Sequence, residues 1–320
     1  MLPSKTILAP LFIAFGGGMV FFPFFIRWQK SWGVGQKIKK EGPNLHLHKE
    51  NTPTMGGLII IMSSFLGLWF GGGLDRLTGV IFLFLLLFFA LGFWDDYQKS
   101  VLGRPWGIKA RYKFFAQLLG SAGLLLWGFR FFPHHFTIPF TNYSVELGVV
   151  EFLLYGVLVM VASMNAFNIV DGLDGLAAGC GLLTFAFWSI ILGTQNRLAL
   201  VGLSEAAIGA LLAFLWFNFW PARIFMGDSG SLPLGALMGI LSLASGHSLL
   251  LVLAGVIFVV DTLSVVLQVI SFKIRKKRLF LMSPLHHHFE LRGVKESHVT
   301  IRFWIVQILG VLVALGSVRG

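Results

Sequence analysis

Clusters of acidic, basic and imidazole side chains interrupt an otherwise oily chain of 320 residues, and their types suit phosphate and divalent cations. Asp95 and Asp96 stand side by side in FALGFWDDYQK. Adjacent carboxylates at a helix C-terminus repel each other and oppose the macrodipole, which prefers cations there. A metal ion, a proton or Lys99, one turn further on, has to offset them. Asn168, Asp171 and Asp174, in MNAFNIVDGLDGLA, recur every three residues, which predicts one drifting helical stripe. Gly172 and Gly175 leave bare backbone beside the two acids, as close approach of a ligand requires. Asp228, Ser229 and Ser231, in FMGDSGSLPLG, are candidate N-caps of the helix that follows. His286, His287 and His288, in SPLHHHFELRG, follow the cations Lys273, Arg275, Lys276, Lys277 and Arg278. Three consecutive histidines lack the i, i+4 spacing of a helical zinc site, so imidazoles among cations point to phosphate oxygens. Lys109, Arg111 and Lys113 in GIKARYKFF, with Lys49 and Thr54 in HKENTPTMGG, add donors that match phosphate.

The elements that hold these residues follow from composition. Hydrophobic residues make up 56% and charged residues 12%, with mean hydropathy +0.80, against roughly 25% charged in a soluble domain. That balance excludes disorder and a water-soluble enzyme. It argues against a nucleic-acid partner despite the net charge of +11, because Lys and Arg would need a solvated surface. Spans need about 20 mostly apolar residues, and such stretches fall at 7–26, 54–73, 79–94, 114–132, 147–165, 176–193, 199–219, 232–246, 249–272 and 301–318, with a tight connection at 73–78. The expected fold is an all-α, polytopic membrane bundle of about ten helices, one domain over 1–320. Open strands cannot span lipid, and the many glycines suit close helix packing there. The first span lacks a basic leader and a cleavage site, so it reads as a retained helix. The single cysteine, Cys180, allows no internal disulfide.

Of 25 Lys and Arg, 19 fall in the loops 27–53, 95–113, 166–175, 220–231 and 273–300. The positive-inside rule puts those loops in the cytoplasm and both termini outside. Basic loops are explained by topology and anionic lipid alone, but nine of the 14 acids share that side, and topology has no need of them. Five helices would begin there, and helix N-termini with glycines nearby attract anions. Carboxylates among them suggest magnesium held between protein oxygens and phosphate. A transporter would place its charged site near the midplane, where only Asp261 lies. Asp261, with Gln268 on nearly the same face, reads equally as a structural hydrogen bond or a lipid-handling group.

HKENTPTMGG, FWDDYQK, NIVDGLDGLA, FMGDSGSLPLG and SPLHHHFELRG, in this order, resemble the motifs of the polyprenyl-phosphate N-acetylhexosamine-1-phosphate transferases along essentially the whole chain. The HHHFE and TPTMGG forms are similar to the bacterial branch that acts on phospho-MurNAc-pentapeptide. The resemblance implies a multi-pass enzyme of the bacterial cytoplasmic membrane, active on the cytoplasmic side, homodimeric and dependent on Mg2+. The implied reaction moves phospho-MurNAc-pentapeptide from UDP-MurNAc-pentapeptide to undecaprenyl phosphate, giving UMP and the first lipid-linked peptidoglycan precursor. A sibling transferase taking UDP-GlcNAc or another UDP-sugar is the alternative.

By the same resemblance Asp95, Asp96, Asp171 and Asp228 are catalytic, with Asp228 the magnesium ligand. Lys49, Thr54, Lys113, Asn168, Asp174, Asn218, Phe225, His286, His287 and His288 bind substrate, Phe225 stacking on uracil and His287 and His288 approaching the substrate. Asn51 stands where Gly is usual before TPTMGG, and Val170 where Thr is frequent before DGLDG. Both departures concern backbone geometry rather than chemistry.

Overall fold

The computed structural model describes residues 8–33, 35, 49, 51–104, 106–141 and 143–318. Lys5, Arg319, Glu41, Glu50 and the basic residues of 36–48, which entered the charge argument, lie outside them. The helices are α1 Ala9–Ser31, α2 Gly57–Phe70, α3 Arg76–Ser100, α4 Ala110–Gly128, α5 Val149–Val170, α6 Leu176–Thr194, α7 Leu198–Asn218, α8 Asp228–Ala244, α9 Leu251–Ala254, α10 Val256–Arg275, α11 Leu285–Leu291 and α12 Glu296–Ser317. This is the expected all-α bundle. Among the described residues eight helices are long and apolar enough to cross a membrane: α1, α3, α4 with the 3-10 turn that extends it to Phe131, α5, α6, α7, α10 and α12.

Two expected spans fall short of that length. The helix α2 has 14 residues and α8 has 17, and at 1.5 Å per residue even α8 reaches only about 26 Å. All 17 residues of α8 are buried, so protein rather than lipid surrounds it and bilayer thickness does not set its length. It packs against α5 and α3, while α7 packs against α1, α6 and α2. By contrast α10 buries only Ile257, Phe258, Asp261 and Ser264, a single narrow stripe.

The expected span 249–272 is broken. A 3-10 turn at 248–250 leads into α9, Gly255 interrupts the helix, and α10 starts at Val256. Freed backbone groups in an apolar interior need partners. Gln307 of α12 supplies them, its Oε1 accepting the Ile257 N–H at 3.1 Å and its Nε2 donating to the Ala254 carbonyl and, at 2.9 Å, to Thr184 Oγ1.

The connection from α4 to α5 holds an antiparallel hairpin, β1 His135–Thr137 and β2 Ser144–Glu146, registered His135 to Glu146. The Thr137 N–H donates to the Gly246 carbonyl, docking the hairpin beyond the C-terminal end of α8. It therefore lies at the end of α8 opposite Asp228. Toward that same end of the bundle α3 opens with a reciprocal capping box. Asp75 Oδ1 accepts the Thr78 N–H at 2.8 Å and Thr78 Oγ1 accepts the Asp75 N–H at 2.9 Å.

Candidate active site

The site is built around the N-terminus of α8. Its N-cap, Gly227, offers no side chain, and neither Ser229 nor Ser231 caps from within. The cap comes from another helix: Asp96, at the end of α3, accepts the N–H of Asp228 at 3.0 Å and of Ser229 at 2.9 Å. A carboxylate on the exposed donors of a helix N-terminus satisfies both the hydrogen bonds and the dipole. This resolves the conflict that the paired aspartates pose in sequence, because only one of them stays with its own helix end.

Two glycines let α8 come this close. A Cβ on Gly92 of α3 would lie 2.1 Å from the Asp228 carbonyl, and one on Gly57 of α2 would lie 2.1 Å from the Gly230 nitrogen. The first turn of α8 is thus gripped on two sides by bare backbone and from the front by Asp96. Asp228 is placed with little freedom.

Asp95 turns the other way. Its Oδ1 accepts the Ile108 N–H at 2.6 Å, and its Oδ2 pairs with Lys99 and lies 3.7 Å from Lys113 Nζ. Asp228 Oδ2 pairs with Lys113 and, at 3.3 Å, with Lys99. Asp228 Oδ1 accepts from Asn168 Nδ2 at 2.6 Å, and the same amide reaches Ser231 Oγ at 2.8 Å. Burial pushes Asp228 up, but hydrogen bonding with Asp95 and the ammonium groups of Lys113 and Lys99 hold it well below the usual carboxylate range. Desolvation, then the charges of Asp228 and Asp96, push Asp171 well above that range, against a hydrogen bond from the Gly227 backbone.

Oxygens of Asp95, Asp96 and Asp228 come within 4.8 Å of one another. Three hard oxygen donors at that separation fit a divalent cation. Both Asp96 oxygens already accept backbone N–H groups, whereas Asp95 Oδ2 and Asp228 Oδ2 meet side chains alone, the ammonium groups of Lys99 and Lys113 and each other's carboxyl. The donor set therefore suits a metal held by Asp228 and Asp95, with Asp96 keeping the helix end in place.

A second cluster lies around the DGLDG loop. Helix α5 ends at Val170, so Asn168, Asp171 and Asp174 do not share the expected stripe. Asn168 and Asp171 face Asp228, while Asp174 turns to Lys49, 2.7 Å away. Lys49 also pairs with Glu296 at 2.5 Å, and Glu296 accepts the Asp174 N–H at 2.7 Å. Lys49 Nζ lies 5.8 Å from the centre of the Phe225 ring. Phe225 is held by its backbone, donating to the Pro53 carbonyl at 2.8 Å and accepting from the Gly56 N–H at 2.9 Å. Thr54, next to it, is tied by both backbone groups to the amide of Gln29 in α1, at 2.8 and 3.0 Å. Asn218 spends its side chain on backbone, accepting the Gly175 N–H at 2.9 Å and donating to the Ile224 carbonyl at 2.8 Å.

The histidines divide. His286 is fully buried and bonded to Asp261, at 2.5 Å. His287, half-buried, pairs with Glu290 at 2.7 Å, and His288 Nδ1 accepts the Leu281 N–H at 3.1 Å. The structure thus joins Asp95, Asp96, Asp228, Asn168, Asp171 and Lys113 in one cluster and Lys49, Asp174 and Phe225 in an adjoining one. Asn218 and Thr54 serve as stitches between loops. Glu296, Gln29 and Glu290 join the site's hydrogen bonds from outside the motif positions expected to act. Gln29 sits between Arg27 and Lys30 at the polar end of the first span, where a glutamine is ordinary, and Glu296 stands at a helix start where acids are ordinary.

Comparisons with known proteins identify the family. The family described as glycosyl transferase family 4 matches residues 78–246, from α3 to the end of α8, and phospho-N-acetylmuramoyl-pentapeptide-transferase signature 1 matches residues 49–61. The chain is 40% identical over 319 residues to the phospho-N-acetylmuramoyl-pentapeptide-transferase of Halalkalibacterium halodurans, covering 98% of this chain and 97% of that protein. Proteins of the same name from Francisella tularensis subsp. tularensis and Francisella philomiragia are 39% identical over 318 residues, covering 92% of this chain and 87% of theirs. With the signature segment carrying Lys49 and Thr54 and relatives matched almost end to end, the chain belongs to the phospho-N-acetylmuramoyl-pentapeptide-transferase family.

Proposed function

We propose that this multi-pass membrane protein transfers phospho-MurNAc-pentapeptide from UDP-MurNAc-pentapeptide to undecaprenyl phosphate, releasing UMP. The observation that carries the reading is the buried cluster of Asp95, Asp96 and Asp228, with Asn168 and Lys113 bonded to it, in a chain so similar to transferases of that name. Both reactants are phosphates, and two unit charges 4 Å apart repel by roughly 4 kcal/mol at an effective dielectric of 20. Lys99 and Lys113 bring two positive charges to the place where that repulsion has to be offset. A magnesium ion held by Asp228, with Asp95 beside it, would neutralise the diphosphate and stabilise departing UMP.

Asp95 orients the lipid phosphate or takes its proton, a light task because the second pKa of a phosphate monoester is about 6. Asp96 acts at one remove, by fixing the α8 N-terminus that carries Asp228. Asn168 holds Asp228 from the opposite side to the lysines. Phe225 offers its face to the uracil, and Lys49, Asp174 and Glu296 form the wall behind it. Asp171 and Gly172 meet the diphosphate between the two clusters. Attack occurs in one step with both substrates bound. The site faces the cytoplasm of a bacterial cell, at the inner membrane, and the protein works as a homodimer.

The test uses purified protein in detergent with UDP-MurNAc-pentapeptide, polyprenyl phosphate and Mg2+, each omitted in turn. UMP should appear only with all three. UMP release without the lipid, or a trapped aspartyl-phosphate, would replace the single step by a covalent one. No UMP with the complete mixture, but turnover of UDP-GlcNAc, would reassign the donor.

A further inference from the structure

Asp261 lies on the narrow buried stripe of α10, about four turns or roughly 21 Å before the end of that helix at Arg275. The chain leaves α10 there and folds back along it. Gln268 accepts the N–H groups of Leu279 and Phe280 at 3.0 and 2.9 Å, and Asp261 then takes hold of His286. An acid inside an apolar helix is expensive unless a partner is assured. Here both carboxylate oxygens go to one residue, Oδ2 lying 2.5 Å from His286 Nδ1 and Oδ1 accepting the His286 backbone N–H at 3.1 Å.

A backbone bond alone would dock α11. The second bond does more: it fixes the plane of the ring, places the hydrogen on Nδ1 and leaves Nε2 as the remaining nitrogen. That Nε2 is buried and has no hydrogen-bond partner. It backs directly onto Gly172, where a Cβ would come within 2.4 Å of it. Gly172 itself is exposed on its other side. It follows Asp171 in a tight turn closed by the Gly172 N–H on the Val170 carbonyl at 2.8 Å. The imidazole is therefore the rear wall of the turn whose front carries Asp171 toward Asp228.

We propose that Asp261 is a positioning residue for the transfer reaction, acting through His286 to set the Asp171–Gly172 turn against the diphosphate of the nucleotide donor. The proposal rests on the reading of that turn as part of the donor site. It assigns a distant, membrane-helix carboxylate to donor recognition rather than to lipid handling.

Steady-state kinetics of the full-length protein in detergent test it, with wild type, Asp261→Asn, Asp261→Glu, Gly172→Ala and the Asp261→Asn/Gly172→Ala double variant. Turnover of wild type with UDP-MurNAc-pentapeptide settles the donor reading first and separately. Asp261→Asn, whose amide NH2 must face either Nδ1 or the His286 backbone N–H, should raise the donor KM about 10-fold or more while the lipid KM stays within about twofold. Asp261→Glu should recover most of that loss. Gly172→Ala, a change on an exposed turn that does not require refolding of α10, should raise the donor KM alike. The double variant should lose little beyond the worse single one, because both act on the same turn. A fall in kcat with both KM values unchanged would reduce Asp261 to an anchor of α11 and overturn the proposal. So would losses that multiply in the double variant, or a Gly172→Ala protein with wild-type donor KM.

Discussion

Removing the Asp96 side chain would strip the first turn of α8 of a cap that comes from a different helix. Asp96→Ala should therefore lower stability by about 1–2 kcal/mol, read as a shift in thermal unfolding in detergent. It should reduce transfer by more than that shift explains, because Asp228 moves with the helix end. Asp95 carries no such cap, so Asp95→Ala should lose transfer with a smaller change in unfolding. The equal standing of the two aspartates in sequence hides this division. Adjacent side chains on a helix point about 100° apart, and nothing in FWDDYQK says which one meets a helix that begins 132 positions later. Asn51 is a residue whose oddity was legible and whose cause was not. It stands at φ +63°, a conformation that glycine adopts freely and asparagine tolerates. Asn51→Gly should leave activity unchanged, whereas Asn51→Ala should cost roughly 1 kcal/mol.

Helix α8 depends on two neighbours that carry no side chain where they touch it. Gly92→Ala would put a methyl 2.1 Å from the Asp228 carbonyl, and backbone cannot yield as a flexible side chain does. The expected outcome is a loss of about 1–3 kcal/mol in stability and a fall in transfer of at least about 10-fold as Asp228 is pushed out of line. Wild-type turnover in Gly92→Ala would show that the close contact does not position the site. The long helices were legible because about 20 apolar residues in a row have few other fates. The break at Gly255 was not. A glycine inside an apolar run usually marks packing, and its backbone partners, Gln307 and Thr184, come from helices far off in sequence. The hairpin of three-residue strands is too short for an alternating pattern to reveal. The loops around DGLDG were legible as a site but not in shape, since the end of α5 at Val170 sends Asp174 to Lys49 rather than to Asp228.

As a whole the molecule gathers segments from 49 to 296 at one end of the buried α8, and the hairpin of β1 and β2 sits at the other. If the acidic end is cytoplasmic, the loop 101–109 and the hairpin lie on opposite sides of the membrane. Cys180 is fully buried, so introduced thiols can be read without background. A membrane-impermeant maleimide on intact cells should label Thr141→Cys and leave Arg104→Cys untouched until the membrane is opened, both positions being exposed. The reverse pattern would place the site outside. The catalytic role that we propose falls to one carboxylate, Asp228, on a helix end that Asp96, Gly92 and Gly57 secure. Its most direct measurement compares wild type with Asp228→Asn in detergent, following UMP and lipid-linked product together at saturating Mg2+. Wild type should give equal amounts of both products and the variant at least about 1000-fold less, with thermal unfolding little changed because Lys99 and Lys113 still have Asp95. Near-normal turnover by Asp228→Asn would contradict that role.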